Sequence, residues 1–477
     1  MVLPTGDGKS RRRSRPLWKD PTMILLGLTG AVDAADGRVL TALFRALESE
    51  FSFGPETLSY LLIGQSLSMA VSSPLWGYLA DRKSRSTLLA IGCFICGFST
   101  WLMAGATTFF HLLVMRSLAG IALASISPVG QSLVADLVPE RNRGRVFGIL
   151  MAVSNAGAFW GGLFATSYGG RRIFSPWSGN SISGWRFVLL VVGSLPLLLS
   201  IVVYLIMSEP RRTLGITKGV NSSGNEGTFH FLKRLFRVRT FQLIVLQGLF
   251  GAIPWNALSF STLWLQHAGF DDFTASKIVS WHMIGAMFGV ALGGQLGDMA
   301  AVWSPSRGRV YVAQASTLMG TLVAAFIYGI QTADPSVTRS AHYLSASFFS
   351  MGLVSSWCGS GVNRPILSEI VPPSQRASIM AWSIGLEGCS GALFGAPIVG
   401  LLAERVFGYG QNSGGGVSQA NDDANALAKA MLYMVTIPWL FCFTVYGWVG
   451  HVYQDDRKSV KRSQTLGPLE LENGHSL

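Results

Sequence analysis

The sequence predicts an all-α membrane protein with twelve transmembrane helices in two pseudo-symmetric six-helix halves. Three observations predict this fold: an apolar composition, apolar runs of membrane-spanning length, and an internal repeat. Of the 477 residues, 49% are hydrophobic and only 13% are charged, which is far from the composition of an ordinary soluble domain. The apolar runs are each about 20 residues long, enough to cross about 30 Å of hydrocarbon as a helix.

Twelve such runs follow one another along the chain, separated by short polar turns. We number them as spans 1 to 12, and their centres fall near residues 34, 68, 97, 121, 157, 196, 251, 287, 320, 355, 390 and 440. Because the number of spans is even, both termini are expected on the same side of the membrane.

The distribution of Lys and Arg selects that side. The two tails, the alternate loops and the central connector carry about 26 of the 37 basic residues, whereas the opposite loops carry about five, and this bias predicts cytosolic termini. It also accounts for the net charge of +12 without a nucleic-acid partner, because the charge lies in short loops rather than on one basic patch. The plasma membrane and an endolysosomal membrane both remain open as the location.

An internal repeat divides the chain into related halves. The segment that begins at Ala135 matches the one that begins at Ser368 without a gap, and Gly77-x-Leu79-Ala80-Asp81 reappears as Gly294-x-Leu296-Gly297-Asp298. The predicted parts are a basic cytosolic tail (1–22), an N-terminal half (23–207), a cytosolic linker (208–240), a C-terminal half (241–452) and a cytosolic tail (453–477).

The stretch "GYLADRKSRS", from Gly77 to Ser86, closes span 2. Gly77 allows close backbone approach, while the acid and the cations that follow it can contact a neighbouring helix end. We therefore predict a cytosolic gate motif made of Gly77, Leu79, Asp81, Arg82 and Arg85, with Asp298 as its counterpart in the second half. A longer loop precedes the cations Arg307 and Arg309 of the second copy, which predicts a weaker gate there.

This stretch resembles the loop motif of the major facilitator superfamily, and departs from it at Ser84 and Ser86. The spacing of Arg116 and Gly120 in span 4 is similar to the family's Arg-x-x-x-Gly pattern. "QSLVADLVPERNRGRVFG" and "NRPILSEIVPPSQR" resemble the Spinster-like branch, especially its plant, algal and protist members. The resemblance implies a secondary carrier for lysophospholipids or sphingoid lipids, working by alternating access and coupled to protons, with no cofactor.

Span 1 carries ionisable residues inside an apolar run. At about 100° per residue, Asp33 and Asp36 lie about 60° apart on one helical face, whereas Arg38 points about 140° from Asp33. Arg38 is therefore not their local partner. Either another helix supplies a cation or the acids are protonated, because an unpaired carboxylate inside the membrane is costly.

Four further ionisable side chains lie well inside spans, and with the two aspartates they form the predicted proton-coupling and substrate cavity: Asp33, Asp36, Arg116, His282, Arg364 and Glu387. Each also has a structural interpretation. An aspartate could pair with Arg116, His282 could bond at a helix interface, and Arg364 could cap a helix or contact lipid headgroups.

Glycine and proline interrupt spans 1 and 7, and we predict hinges at Gly37, Gly251 and Pro254, with neutral kinks as the alternative. The aromatic side chains Trp160, Trp255, Trp264, Trp281 and Trp382 could line a cavity or anchor at the membrane interface. A carrier of a small polar solute, such as a sugar or an organic ion, is the main alternative function, since Gln247 and Asn256 offer some polar lining.

Enzymatic chemistry has no support in the sequence, because paired histidine ligands, a nucleophile elbow and a phosphate-binding loop are not found. A metal site and a cofactor are therefore not expected, and a non-transporting receptor is the weakest alternative. We expect a monomer whose partners are a small-molecule or lipid substrate and the surrounding membrane lipids.

Overall fold

The computed structural model describes residues 21–138, 140–174, 181–207, 235–333, 340–371, 376–410 and 417–465. Within these ranges the chain forms twelve successive helical rods, one at each of the predicted span positions. We call the end of the bundle near Pro21 and Thr465 the terminal end, and the opposite end the distal end. The part of the linker between 208 and 234 lies outside the described residues.

The N-terminal half contains spans 1 to 6. Their bounds are Pro21–Ala42 with Phe44–Phe51 for span 1, Pro55–Arg82 for span 2, Arg85–Met103 for span 3, Phe109–Leu123 with Ile126–Leu137 for span 4, Glu140–Gly169 for span 5 and Gly184–Ile206 for span 6. Between spans 5 and 6, strands Arg172–Phe174 and Ser181–Ser183 pair antiparallel, with Arg172 opposite Ser183. The sequence pattern between spans 5 and 6 does not predict this hairpin.

The C-terminal half contains spans 7 to 12, several of which change helix type along their length. Their bounds are Arg239–Ala257, Leu258–Phe260 (3₁₀) and Ser261–His267 for span 7, Asp272–Trp303 for span 8, Gly308–Ala333 for span 9, Ala341–Ser355, Gly359–Asn363 (π) and Arg364–Glu369 for span 10, Arg376–Ser390, Gly391–Gly395 (π), Ala396–Leu401 and Leu402–Val406 (π) for span 11, and Val417–Thr465 for span 12.

Eight helices in the described part of the chain are long and apolar enough to cross a membrane, and they belong to spans 3, 5, 6, 7, 8, 9, 11 and 12. Spans 4 and 10 are each split into shorter helices. The 22-residue helix of span 1 carries Asp33, Asp36 and Arg38, and span 2 is long but mixes polar residues into its 28-residue helix. Spans 1, 2, 4 and 10 are therefore recognised in the packed bundle, although the length and hydropathy of single helices do not identify them.

The two halves repeat one packing scheme. In the N-terminal half, spans 1, 2 and 3 pack on spans 5, 4 and 6; in the C-terminal half, spans 7, 8 and 9 pack on spans 11, 10 and 12. Glycine allows the closest of these approaches. A Cβ atom added at Gly157 of span 5 would lie 2.1 Å from the Ala31 carbonyl oxygen of span 1, so the two backbones touch directly.

The buried apolar side chains of the described residues form one large cluster at the distal end, two smaller ones at the terminal end and a fourth of three residues, Cys96, Ala122 and Leu123, between spans 3 and 4. The distal cluster joins both halves, with Leu43 and Trp185 from the first and Trp264 and Tyr409 from the second. The terminal clusters are separate, one in each half. The halves are thus held together mainly by the burial of apolar surface at the distal end.

The hinge predicted at Gly37 does not coincide with a break in the helix. The helix Pro21–Ala42 runs through Gly37, and the interruption falls at Leu43. In span 7 the α-helix continues through Gly251 and Pro254 to Ala257, and a 3₁₀ turn follows. Proline lacks the N–H that would bond one turn earlier, and the irregular turn begins four residues beyond it.

Candidate functional site

A cavity of 840 Å³ lies between the two halves. Span 1 contributes Arg38, span 5 contributes Met151 and Asn155, and spans 7, 8 and 10 supply most of the remaining wall. Among the described residues that line this central cavity, the ionisable side chains are Arg38, His282 and Arg364, and none is a carboxylate. The rest is largely apolar, with Met151, Trp255, Val279, Met287 and Phe348.

Arg38 lines the central cavity, although the sequence pattern does not identify it as a site candidate. Its angle on the helix only excludes it as a local partner for Asp33. The same angle could have identified Arg38, because a cation on the side of a spanning helix opposite its buried acids must face a second polar environment. In the structure that environment is the central cavity, where Arg38 lies within electrostatic range of His282.

His282 and Arg364 both line the central cavity. The His282 ring lies 5.6 Å, centroid to centroid, from the Trp255 ring, at a tilt of 52°, and its buried Nε2 has no hydrogen-bond partner among the described residues. An unsatisfied buried donor or acceptor that faces a cavity is suited to bind a ligand. Trp255 lines the cavity, whereas Trp264 is fully buried in the distal apolar cluster.

Glu387 lies in a second cavity of 420 Å³ that adjoins the central one. The two cavities share Trp255, Ala286, Val290, Ser356 and Gly359. Ser383 donates a hydrogen bond to Glu387 at 2.8 Å. The carboxylate side chain packs against Gly248, since an added Cβ there would lie 2.5 Å from the Glu387 Cγ atom.

Polar side chains extend from the second cavity into the C-terminal half. Asn363 donates to Gln247 at 3.0 Å, and Tyr446 donates to Asn363 at 2.8 Å. These bonds fix the amide orientations at the cavity wall. Gln247, Asn256 and Asn363 therefore give this cavity three amide side chains, whereas the central cavity has one, Asn155.

Asp36 and Arg116 do not line either cavity. Arg116 Nη1 donates to Asp36 Oδ2 at 2.7 Å, and Thr100 donates to Asp36 Oδ1 at 3.0 Å. Arg116 Nη2 also donates to the Asp36 carbonyl oxygen at 3.2 Å. Another helix thus supplies the cation, one of the two predicted alternatives, and the expectation that Asp36 faces the cavity is wrong because spans 1, 3 and 4 enclose it.

Asp33 lies one turn before Asp36 and is half-buried. Among the described residues, no hydrogen bond or ion pair involves its carboxyl group, and it is not among those that line the central cavity. The two aspartates therefore differ: Arg116 and Thr100 bond the Asp36 carboxylate, whereas the Asp33 carboxyl group has no bonded partner among the described residues.

The distal end carries hydrogen bonds between the two halves. Arg405 makes two bonds to the Glu56 carboxylate, at 2.9 and 2.6 Å, and the backbone N–H of Glu56 donates to Glu404 at 2.5 Å. Arg45 donates to the Gln266 carbonyl oxygen at 3.2 Å. Glu48 accepts from Tyr409 and contacts His267. Between described residues of the two halves, the hydrogen bonds all lie at this end.

The predicted gate motif lies at the terminal end. The backbone of Gly77, Leu79, Asp81 and Arg82 is helical, while Arg85 begins span 3 and is 2% exposed; the side chains of Asp81 and Arg82 lie outside the described residues. In the second half, Arg309 donates to Asp298 at 3.0 Å and to the Gly361 carbonyl oxygen at 3.0 Å. This copy therefore ties spans 8, 9 and 10 together within one half.

Twelve helical rods, two halves with the same internal pairing and a cavity between them are the architecture of a known family of membrane proteins. The family model of the Major Facilitator Superfamily matches residues 26–396 of this chain. The chain belongs to the Major Facilitator Superfamily.

Relatives within this superfamily include the protein spinster of Drosophila melanogaster, 22% identical over 395 residues. The matched region covers 81% of this chain and 62% of the fly protein, so this chain spans about three fifths of that relative's length. The 4-hydroxybenzoate transporter PcaK of Pseudomonas aeruginosa is 26% identical over 409 residues, covering 80% of this chain and 84% of PcaK.

Solved structures of the superfamily share the fold. A bacterial homologue of the human lysosomal transporter Spinster, inward-facing and unoccupied, superimposes with a TM-score of 0.76 at 19% identity, covering 91% of this chain and 98% of the homologue. The D-xylose-proton symporter gives a TM-score of 0.64 at 16% identity, covering 88% and 96%. The predicted resemblance to Spinster-like members of the Major Facilitator Superfamily is thus confirmed.

Proposed function

We propose that this protein is a secondary active transporter that moves amphipathic lipids, such as lysophospholipids or sphingoid lipids, by proton-coupled alternating access. The observation that carries the proposal is the composition of the central cavity. Three nitrogen-bearing side chains, Arg38, His282 and Arg364, face a wall that is otherwise largely apolar. Such a cavity suits a ligand with one anionic group and a hydrocarbon part.

The two guanidinium groups explain how a lipid phosphate would be held. Arginine donates two parallel hydrogen bonds to a phosphate and keeps its charge at any physiological pH. Arg38 comes from the first half and Arg364 from the second, so one anion bound to both would bridge the halves. A ligand that bridges the halves can couple its own binding to their relative movement.

Proton coupling is assigned to the acids that have no fixed cation. Asp33 lies one turn from the Asp36–Arg116 pair, and a shift of Arg116 from one aspartate to the other would release or accept a proton. Glu387 borders the second cavity and offers a second such site. A titratable acid that exchanges partners between two conformations is sufficient to link transport to a proton gradient.

The distribution of Lys and Arg indicates the side of the membrane to which the central cavity opens. With cytosolic termini, the distal end would face the outside or an organelle lumen. The apolar cluster and the hydrogen bonds that join the halves there then favour an inward-facing conformation, in which substrate exchanges with the cytosol. The solved bacterial Spinster homologue is itself in an inward-facing conformation.

A carrier of a small polar solute is the second candidate. It is favoured by the cavity around Glu387, which Gln247, Asn256 and Asn363 line with amide groups. The similarity to a 4-hydroxybenzoate transporter and to a D-xylose-proton symporter is compatible with such a substrate. A lipid chain needs the apolar wall of the central cavity, whereas a sugar needs the amides.

Uptake into vesicles tests the proposal. Purified protein in vesicles should accumulate labelled lysophosphatidylcholine, faster with a pH gradient than without one. The Asp33→Asn variant should lose the stimulation by the gradient, whereas a matched variant of an exposed arginine, Arg171→Gln, should keep it. No uptake above empty vesicles, with inserted protein demonstrated, would contradict a lipid substrate, and uptake of a sugar or organic anion would then favour the alternative.

A further inference from the structure

The second cavity, around Glu387, has a lining that the proposed phosphate site does not use. Among the described residues that line it, Glu387 is the only one with a charged side chain. Trp255 and Trp439 also line it, with their ring centroids 6.2 Å apart and their planes at 70°. Indole rings attract cations, most strongly where water is excluded. The cavity thus combines one carboxylate with two nearly perpendicular aromatic rings.

Three hydroxyl groups of this cavity already use their protons. Ser355, Ser356 and Thr317 line the cavity, and each donates to the backbone carbonyl oxygen four residues earlier in the chain, at 2.7, 2.7 and 3.0 Å. A hydroxyl has a single proton, so each of these oxygens has only acceptor capacity left. Any hydrogen bond between these groups and a ligand is therefore one that the ligand donates.

The acid and an amide of the cavity follow the same pattern. Ser383 donates to Glu387 Oε1 at 2.8 Å, and no other hydrogen bond to this carboxylate occurs among the described residues, so Oε2 is an acceptor without a donor. Asn256 Nδ2 donates to the Ala252 carbonyl oxygen at 3.1 Å and packs against Gly391, which leaves the Asn256 Oδ1 atom as an acceptor. A cationic group with several N–H donors satisfies such acceptors best.

We propose that the second cavity binds a primary ammonium group, held by the Glu387 carboxylate, the hydroxyl oxygens and the rings of Trp255 and Trp439. A primary ammonium carries three N–H donors and one positive charge. A quaternary ammonium has the charge but leaves the acceptors unpaired, and an anion is repelled by Glu387. The volume of 420 Å³ holds the ammonium group together with a short alkyl stem.

The position of this cavity beside the proposed phosphate site defines a headgroup. The two cavities share Trp255 and Ser356 in their walls, and Arg364 of the central cavity lies within electrostatic range of Glu387. The inference rests on the proposed lipid transport, and it ranks lipids with a primary amine beside the phosphate above lipids with a quaternary amine. Because Arg364 repels a lone cation, an anion bound at Arg364 should strengthen the binding of the ammonium group.

Calorimetric titration of the purified full-length protein with soluble headgroup analogues tests the site. Phosphoethanolamine carries a phosphate and a primary ammonium, and propyl phosphate has a methyl group in place of the ammonium. We expect the wild type to bind phosphoethanolamine about 10- to 100-fold more tightly than propyl phosphate, as hydrogen bonds to a charged group would give. Phosphocholine should bind more weakly than phosphoethanolamine, and ethylammonium without a phosphate should bind more weakly still.

Three variants locate the preference for the amine. Glu387→Gln should bind phosphoethanolamine and propyl phosphate alike, with the affinity that the wild type has for propyl phosphate. Trp439→Leu keeps an apolar side chain but loses the ring, so the preference should fall about 3- to 30-fold. Asp422→Asn removes an exposed acid of span 12 and should keep the wild-type preference.

Equal binding of the two esters by the wild type, or binding of neither, would overturn the ammonium site. A preference that persists in Glu387→Gln would also overturn it, and if this variant does not fold, an unchanged preference in Trp439→Leu would do so. Vesicle uptake judges the transport function separately. Protein that takes up lysolipid but binds both esters alike keeps the proposed function and loses the site, whereas a preference for phosphoethanolamine without lysolipid uptake keeps the site and contradicts the lipid substrate.

Discussion

Arg116 and Asp36 form an ion pair of 2.7 Å in which the side chains are 1% and 2% exposed. Thr100 completes the carboxylate's hydrogen bonds, so the pair connects spans 1, 3 and 4 in the middle of the N-terminal half. Its neighbour Asp33 has no such bond among the described residues. The sequence places both aspartates on one face of a helix, and the structure gives them different roles.

Asp36→Asn should destabilise the protein by about 3–5 kcal/mol, because it leaves the Arg116 charge buried without a partner. Asp33→Asn should change stability by much less. Thermal unfolding in detergent measures both variants under the same conditions. The double variant Asp36→Leu with Arg116→Met, which removes both charges and keeps their volume, should recover most of the lost stability. Equal destabilisation by the two asparagine variants would contradict the assignment.

Arg38→Gln and Arg364→Gln should each weaken the binding of an amphipathic anion about 10- to 100-fold, since a charged hydrogen bond is worth about 1.5–3 kcal/mol. Lysolipid binding to purified protein, followed by quenching of tryptophan fluorescence, measures the effect, because Trp255 lines the same cavity. Arg309→Gln, outside the cavity, should bind normally. If the cavity variants bind as the wild type does, the lipid phosphate does not lie between the two arginines.

Gly248→Ala should impair transport as strongly as Glu387→Gln. The new methyl group would lie 2.5 Å from Glu387 Cγ and 2.6 Å from its Oε1 atom, which forces the carboxylate away from the cavity. Gly388→Ala is the matched control, because no atom lies within 4 Å of a Cβ added there. Vesicle uptake of each variant under a pH gradient tests this. Normal uptake by Gly248→Ala would show that the position of Glu387 is not critical.

Gly285→Ala should lower stability by about 1–3 kcal/mol, the usual range for overpacking a filled interface. The added Cβ would lie 2.1 Å from the Phe349 carbonyl oxygen of span 10, so spans 8 and 10 would have to separate. Gly294→Ala, on the same helix with open space around its Cβ, should be neutral or slightly stabilising. The comparison of their unfolding temperatures checks the close contact of the two spans.

Much of the fold follows from local sequence. Twelve apolar runs predict twelve rods because each run must satisfy its own backbone hydrogen bonds in lipid, and the repeat of Asp81 at Asp298 predicts two related halves. The changes of helix type in spans 10 and 11 were not predicted, since the glycines at Gly359 and Gly391 permit several backbone conformations and neighbouring helices select among them.

Sequence alone also determined which ionisable residues lie inside the membrane, because apolar flanks define a span wherever it packs. Only the tertiary structure decided which of them meet. Arg116 is 80 residues from Asp36, and His267 is 219 residues from Glu48, distances that no helical periodicity can relate. The same reason explains Arg38, whose place in the cavity wall the sequence did not predict. The angle of a side chain on its helix is local, whereas what that side chain faces depends on how the helices pack.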